Sequence, residues 1–282
     1  MEEYGKTDLK DHLDYYFLIL DTLINLNETL NEAKVKMPSW RVYSETLTIK
    51  FILNAKSLYQ LLLIPTFKSK QLKKDLKILD IHSILVLSRT LFENYLTYNH
   101  IYVNPQSLKE QEFRFNVWAY SSLLDRKKNR GQRQTITTEI QEKEEQEIID
   151  YQQKLENDGF FSELSENQQK RLIKKGAIRL FKDWRTIIQE CDFCSHEQLK
   201  ERYGYLSGVA HTEGISVAKL RYNYLKNPDE ATREAILNCY LIKMLISKLI
   251  LTLVSKFKII EIKYNSLPLQ TQQIITSYSK LG

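Results

Sequence analysis

The chain has 282 residues but only 8 glycines and 5 prolines, with 43% hydrophobic and 27% charged residues. So few turn-forming residues exclude a sandwich, a barrel or a doubly wound α/β sheet, and predict an all-α multi-helix bundle of roughly eight to ten helices with an exposed charged excursion. With 41 basic residues against 35 acidic ones the net charge is +6, too mild by itself to mark a nucleic-acid binder.

The first helix, capped by Thr7 or Asp8, runs to about Lys36 with Tyr16, Leu20, Leu23, Leu26 and Leu30 on one face. A second runs from Ser39 to Ile64, where Pro65 stops it by lacking an amide hydrogen. A third is expected from Gln71 to Val103, and Asn104-Pro105 opens a fourth that reaches Lys128. The composition then changes. Arg126, Lys127, Lys128, Arg130 and Arg133 form a basic run, and six acids lie between Glu139 and Asp150. So polar a stretch is read as an exposed, mobile excursion over 129–160 that buries no face. Helices resume over Glu163–Lys175 and Ile178–Cys191. Ser195 with Gln198 reads as a capping box for a helix through the 200s. Asn227-Pro228 caps a long helix to Ile262, and Ser266–Lys280 forms a last short one. Residues 1–128 and 161–282 are expected to complete one bundle around the excursion.

The opening MEEYGKTDLK is charged and has no apolar h-region, so no signal peptide is expected. The apolar stretch Ala235–Ile262 is interrupted by Lys243, Lys248, Lys256 and Lys258, so neither a transmembrane helix nor a membrane partner is expected. Three cysteines, Cys191, Cys194 and Cys239, suit a reducing cytoplasm. Cys191-Asp-Phe-Cys194-Ser-His196 has the look of half a zinc site but lacks a second pair. No metal and no cofactor is therefore expected.

The third helix carries the most informative pattern. Between Ile81 and Leu108 the only formal charges are Arg89 and Glu93. At 100° per residue, Arg89, Glu93, His82 and His100 fall within about 40° of one another, on the side of Leu85, Phe92 and Leu96. An arginine and a glutamate four apart pair directly. Two readings stay open: a structural ion pair that fixes helix register, or a polar pocket in the bundle core where catalytic groups gather.

A second concentration lies at Tyr203-Gly-Tyr-Leu-Ser207-Gly-Val-Ala-His211, ten uncharged residues when Thr212 is included. Gly204 and Gly208 one turn apart predict another backbone packed close to this helix. Ser207 and His211, also one turn apart, share a face.

Ser83-Ile-Leu-Val-Leu-Ser-Arg89-Thr-Leu-Phe-Glu93 together with this segment resembles a widespread bacterial family of all-helical proteins of unknown function. That family joins an Arg-x-x-x-Glu helix to a later Tyr-x-x-Leu-Ser-x-x-x-His segment. The matching positions are Arg89, Glu93, Tyr203, Ser207 and His211, and the likeness covers residues 40–225. More distantly the chain is similar to the HEPN superfamily of helical bundles, many of which are metal-independent ribonucleases of defence and toxin systems and dimerise. Their arginine and histidine sit on one helix with about four to six residues between them. Here Arg202 and His211 have eight between them, so Arg89 from another helix would stand in.

The resemblance implies RNA as substrate, His211 moving a proton, Arg89 steadying phosphate charge, Glu93 orienting Arg89 or His211, and Tyr203 or Ser207 holding the phosphate. His82, on the stripe of Arg89 and Glu93, is a further candidate substrate contact. The basic runs Arg126–Arg133 and Lys170–Lys182 would guide the RNA backbone. The alternative is a non-catalytic helical module that recognises a protein partner or small ligand through a structural polar core.

Overall fold

The computed structural model describes residues 9–129, 138–176, 182–211, 213–225 and 227–281. The expected caps Thr7 and Asp8, and Arg130 and Arg133 of the basic run, lie outside the described residues. In chain order the elements are α1 (Leu9–Glu32), α2 (Ser39–Leu62), β1 (Thr66–Ser69), β2 (Lys74–Lys77), α3 (Ile81–Tyr98) and a π-turn (Asn99–Val103). They continue with α4 (Leu108–Lys128), α5 (Thr138–Glu156), α6 (Gly159–Ser162), α7 (Glu166–Lys175), α8 (Trp184–Glu190) and α9 (His196–Ala210). The last are α10 (Gly214–Leu225), α11 (Pro228–Lys256), α12 (Lys258–Asn265) and α13 (Leu269–Ser279). The protein is all-α, as its scarcity of glycine and proline requires. Thirteen helices among the described residues exceed the expected eight to ten, because the stretch expected as an excursion forms α5 and α6 and because breaks divide runs expected to be single helices. At Phe257, for example, an extended backbone divides α11 from α12.

Contacts divide the chain into two units, one of residues 1–37, 44–96 and 192–282, the other of 38–43 and 97–191. Both units draw on each of the stretches 1–128 and 161–282.

The first unit is organised on α11, which packs against α1, α10, α12 and α13. Ile19, Leu23 and Leu26 of α1 and Ile242, Leu245 and Ile246 of α11 are fully buried. Each such side chain contributes about 1.5–3 kcal/mol of burial. Within α11, Asp229–Lys256 is long and apolar enough to cross a membrane by length and composition, at a mean hydropathy of 1.7. The lysines expected to interrupt it leave only Lys243 and Lys248 charged over residues 235–255. Of its most apolar window, 67% is buried inside the fold.

The same unit holds an element that the helical reading missed. Residues 66–77 form an antiparallel hairpin in which Thr66 pairs with Lys77 and Ser69 with Lys74. Left-handed backbones at Ile64 and Lys73 turn the chain into it and around its tip. The third helix therefore begins at Ile81, not Gln71. Asp80 accepts the Ser83 amide at 3.0 Å and so caps α3 where the apolar periodicity starts.

In the second unit Phe113, Val117, Tyr120 and Leu123 of α4 meet Ile148 and Leu155 of α5, Phe161 of α6 and Leu172 of α7. The acidic stretch thus does bury a face, contrary to the exposed excursion expected of it. Glu144, Ile148, Tyr151 and Leu155 recur at helical spacing, with Glu144 buried in an ion pair with Arg126. Four residues make a stripe too narrow to stand out against the surrounding charge. Tyr120 donates to the Ile173 carbonyl at 2.7 Å, tying α4 to α7. Gly176, at φ +61°, ends α7 where a Cβ would stand 2.7 Å from Ser121 Cα.

Helix starts differ from expectation in instructive ways. The capping box forms at Ser165 and Gln168, not at Ser195 and Gln198. Ser195 has ψ +61°, away from the extended backbone that aims a cap hydroxyl at the helix. Ser107, not Asn104, caps α4, accepting the Glu110 amide at 3.1 Å.

Candidate functional site

α3 sets Arg89 and Glu93 one turn apart on the same side, and the structure closes the expected pair. Arg89 Nε donates to Glu93 Oε1 at 3.1 Å, and Nη2 lies 3.1 Å from the same oxygen. The two side chains retain 18% and 28% of their exposure, so the pair borders solvent and is not sealed in the core. α9 brings the second half of the site. Tyr203 is buried and donates its hydroxyl to Glu93 Oε1 at 2.9 Å. Its ring meets Phe92 edge-on at 6.2 Å, which fixes the phenol over α3. His211 closes the C-terminus of α9, its amide donating to the Ser207 carbonyl, and its exposed ring places Nε2 3.2 Å from Arg89 Nη1.

Four of the residues singled out from the sequence thus form one connected cluster: Tyr203, Glu93, Arg89 and His211. A guanidinium has only donors, so His211 Nε2 must accept, which places the ring proton on Nδ1. Burial first, and the Glu93 carboxylate second, push the Tyr203 hydroxyl up to about 12. It therefore remains a neutral donor near neutral pH. The result is an arginine oriented by Glu93 and Tyr203, with one edge turned to an exposed imidazole that can accept a proton.

Ser207 enters through its backbone carbonyl. His82 is set apart from the cluster in a shallow recess with Leu85, Tyr205, Val209 and Lys219. His100 was expected on the same stripe of α3. α3 ends at Tyr98, and His100 belongs to the π-turn Asn99–Val103 that follows. Arg114 then holds His100, with Nη1 3.2 Å from its Nδ1 and 2.8 Å from its carbonyl. The glycines of α9 do not admit a neighbouring backbone. Among the described residues a Cβ at Gly204 would meet nothing within 4 Å, and the atoms nearest to one at Gly208 are those of the Glu213 carboxylate, from 2.9 Å. Arg202 pairs with buried Glu234, which also takes Lys219 at 3.1 Å, and Arg202 and Lys219 both lie over the Tyr205 ring.

All three cysteines are free thiols. Among the described residues no group of three or more His, Cys, Asp or Glu is gathered closely enough to hold a metal ion.

One polar cluster had no sequence signal. Lys243 of α11 is fully buried, with Nζ 2.9 Å from Tyr278 OH, 3.2 Å from His12 Nδ1 and 4.3 Å from the centre of the Tyr278 ring. Burial lowers it from 10.5 to about 8. A lysine within an apolar run reads as an interruption, and only the fold shows which rings surround it.

No protein-family model, curated protein or solved structure matches this chain.

Proposed function

We propose that the chain is an HEPN-like helical effector acting as a metal-independent ribonuclease in bacterial defence or a toxin system, in the cytoplasm. The observation that carries this reading is the 3.2 Å approach of Arg89 Nη1 to His211 Nε2. It joins a phosphate-binding cation to a proton acceptor across two helices, in the place where the HEPN pattern has an arginine and a histidine on one helix. Arg202 is engaged by Glu234 instead.

In the proposed reaction His211 Nε2 takes the proton of the ribose 2′-hydroxyl, and the 2′-oxygen forms a bond to phosphorus. Arg89 Nη1, released by the imidazole, donates to a non-bridging phosphate oxygen as charge builds there. The bond to the 5′-oxygen breaks, and that oxygen leaves with the proton held by His211. Glu93 and Tyr203 are positioning residues that hold the guanidinium. Ser207 and His82 are substrate contacts on this reading.

A non-catalytic binding module is the second reading. It is favoured by the completeness of the network, because Arg89 Nε, Nη1 and Nη2 all have partners within the fold. His211→Ala separates the two. Because His211 is exposed, the variant should melt as wild type does. On the first reading it loses RNA cleavage by about 100-fold or more, with EDTA present or absent. Wild-type protein that leaves RNA intact at micromolar concentration overturns that reading. A paired Arg89→Met, Glu93→Leu replacement with full biological effect would assign the cluster a structural role.

A further inference from the structure

The hairpin of β1 and β2 concentrates the chain's positive charge. Residues 66–77 hold Lys68, Lys70, Lys73, Lys74 and Lys77 against a single carboxylate, Asp75, and so carry four of the six net positive charges. All five lysines are exposed. Among the described residues none of them joins an ion pair, while lysines elsewhere in the first unit do, such as Lys219 with Glu234 and Lys258 with Glu261.

The register fixes how these charges are arranged. Cross-strand partners share a face, so Lys68, Lys77 and Asp75 lie on one side and Lys74 on the other. Lys70 and Lys73 occupy the tip, where Lys73 takes a left-handed backbone at φ +48°. The ribbon is therefore positive on both faces and around its end, over strands of about 13 Å. The paired strands lead directly into α3, and Arg89 follows Ile81 by about 12 Å along that helix.

We infer that this lysine ribbon is an electrostatic docking surface for the phosphate backbone of single-stranded RNA. It would feed the strand toward Arg89 and His211. The choice of RNA rests on the ribonuclease reading, whereas the choice of a strand-like polyanion rests on the ribbon itself. A planar lipid surface can meet only one face of a hairpin, and a flexible phosphate chain can follow both faces and the tip. Lysines act as point charges toward phosphate without reading bases, so binding is sequence-independent and salt-sensitive.

The test is fluorescence anisotropy of the full chain with a labelled 2′-O-methyl oligouridylate, which lacks the hydroxyl needed for cleavage, across a salt series. It compares wild type with the combined Lys68→Gln, Lys70→Gln, Lys73→Gln, Lys74→Gln and Lys77→Gln variant. Single-stranded binding falls with a log–log salt slope of about 0.7 per phosphate neutralised, so loss of five contacts flattens the slope by about 3.5. Over about 50 to 200 mM salt that is roughly a 100-fold difference in affinity. The expected result is at least a tenfold weaker Kd at low salt, a flatter slope, an unchanged melting temperature, and recovery when the five are arginine instead. Equal affinity and slope for both proteins overturn the inference. So does wild-type protein that binds phosphatidylserine vesicles through these lysines but not the oligonucleotide, or that binds neither. Salt-sensitive binding lost in the glutamine variant, with no cleavage of ordinary RNA by wild type, would sustain the docking surface and remove the ribonuclease reading alone.

Discussion

Raising the pH from 8 to 9 should stabilise this protein, and Lys243 is the reason. Its ammonium is fully buried, and among the described residues no carboxylate lies within ion-pair distance. Its nearest groups are His12 and Tyr15 of α1, Cys239 and Tyr240 of α11, and Tyr278 of α13. In the folded state it releases its proton near pH 8, and in the unfolded chain near 10.5. Between those values the unfolded state binds more protons, so stability rises with pH by about 1.4 kcal/mol per unit, roughly 3 kcal/mol over the window. Cys239 opposes this from pH 9 upward. Burial raises its thiol from 9.0 to about 12, so there the folded state keeps a proton that the unfolded state loses. The net gain is thus confined to pH 8–9. Above pH 10 the raised hydroxyls of Tyr16, Tyr102, Tyr203 and Tyr278 turn the curve downward.

Lys243→Met removes the titration. At pH 7 it relieves the roughly 3 kcal/mol burden of a buried charge and forfeits contacts to Tyr278 and His12 at about 1 kcal/mol each, leaving a net gain of about 1 kcal/mol. Urea unfolding followed by far-ultraviolet circular dichroism, under reducing conditions at pH 7, 8 and 9, measures both effects. A wild type that weakens from pH 8 to 9, or a variant that keeps the same rise, would refute the argument.

Two further substitutions probe the rest of the molecule. Tyr203→Phe removes one of the donors on Glu93 Oε1 and should cost about 1 kcal/mol by denaturant titration. On the ribonuclease reading it also lowers kcat more than it raises KM, because Arg89 loses orientation and not charge. Leu155→Ala, at a fully buried position of α5, should cost about 2–5 kcal/mol and shift the urea midpoint accordingly, whereas an exposed excursion would lose nothing measurable.

The hairpin and the acidic helix show why parts of the fold were not legible. Residues 66–77 have no apolar stripe to declare a strand, and α5 has one only four residues long. Each depends on a partner, β2 for β1 and α4 for α5, that a local window does not contain. The glycines of α9 misled for a related reason: small size permits close approach, but what approaches is decided elsewhere.

The sequence by itself determined the helical class, through its dearth of turn residues, and singled out the four side chains that the fold gathers. Arg89 and Glu93 pair through i,i+4 geometry alone, and Tyr203, Ser207 and His211 recur on one helix face for the same reason, because helical period is a local property. Tertiary structure alone decided that Tyr203 and His211 close on that pair from more than a hundred residues away, that Arg114 holds His100, and that Lys243 lies among tyrosines. Those outcomes depend on which faces are buried against each other, and burial is a property of the whole chain.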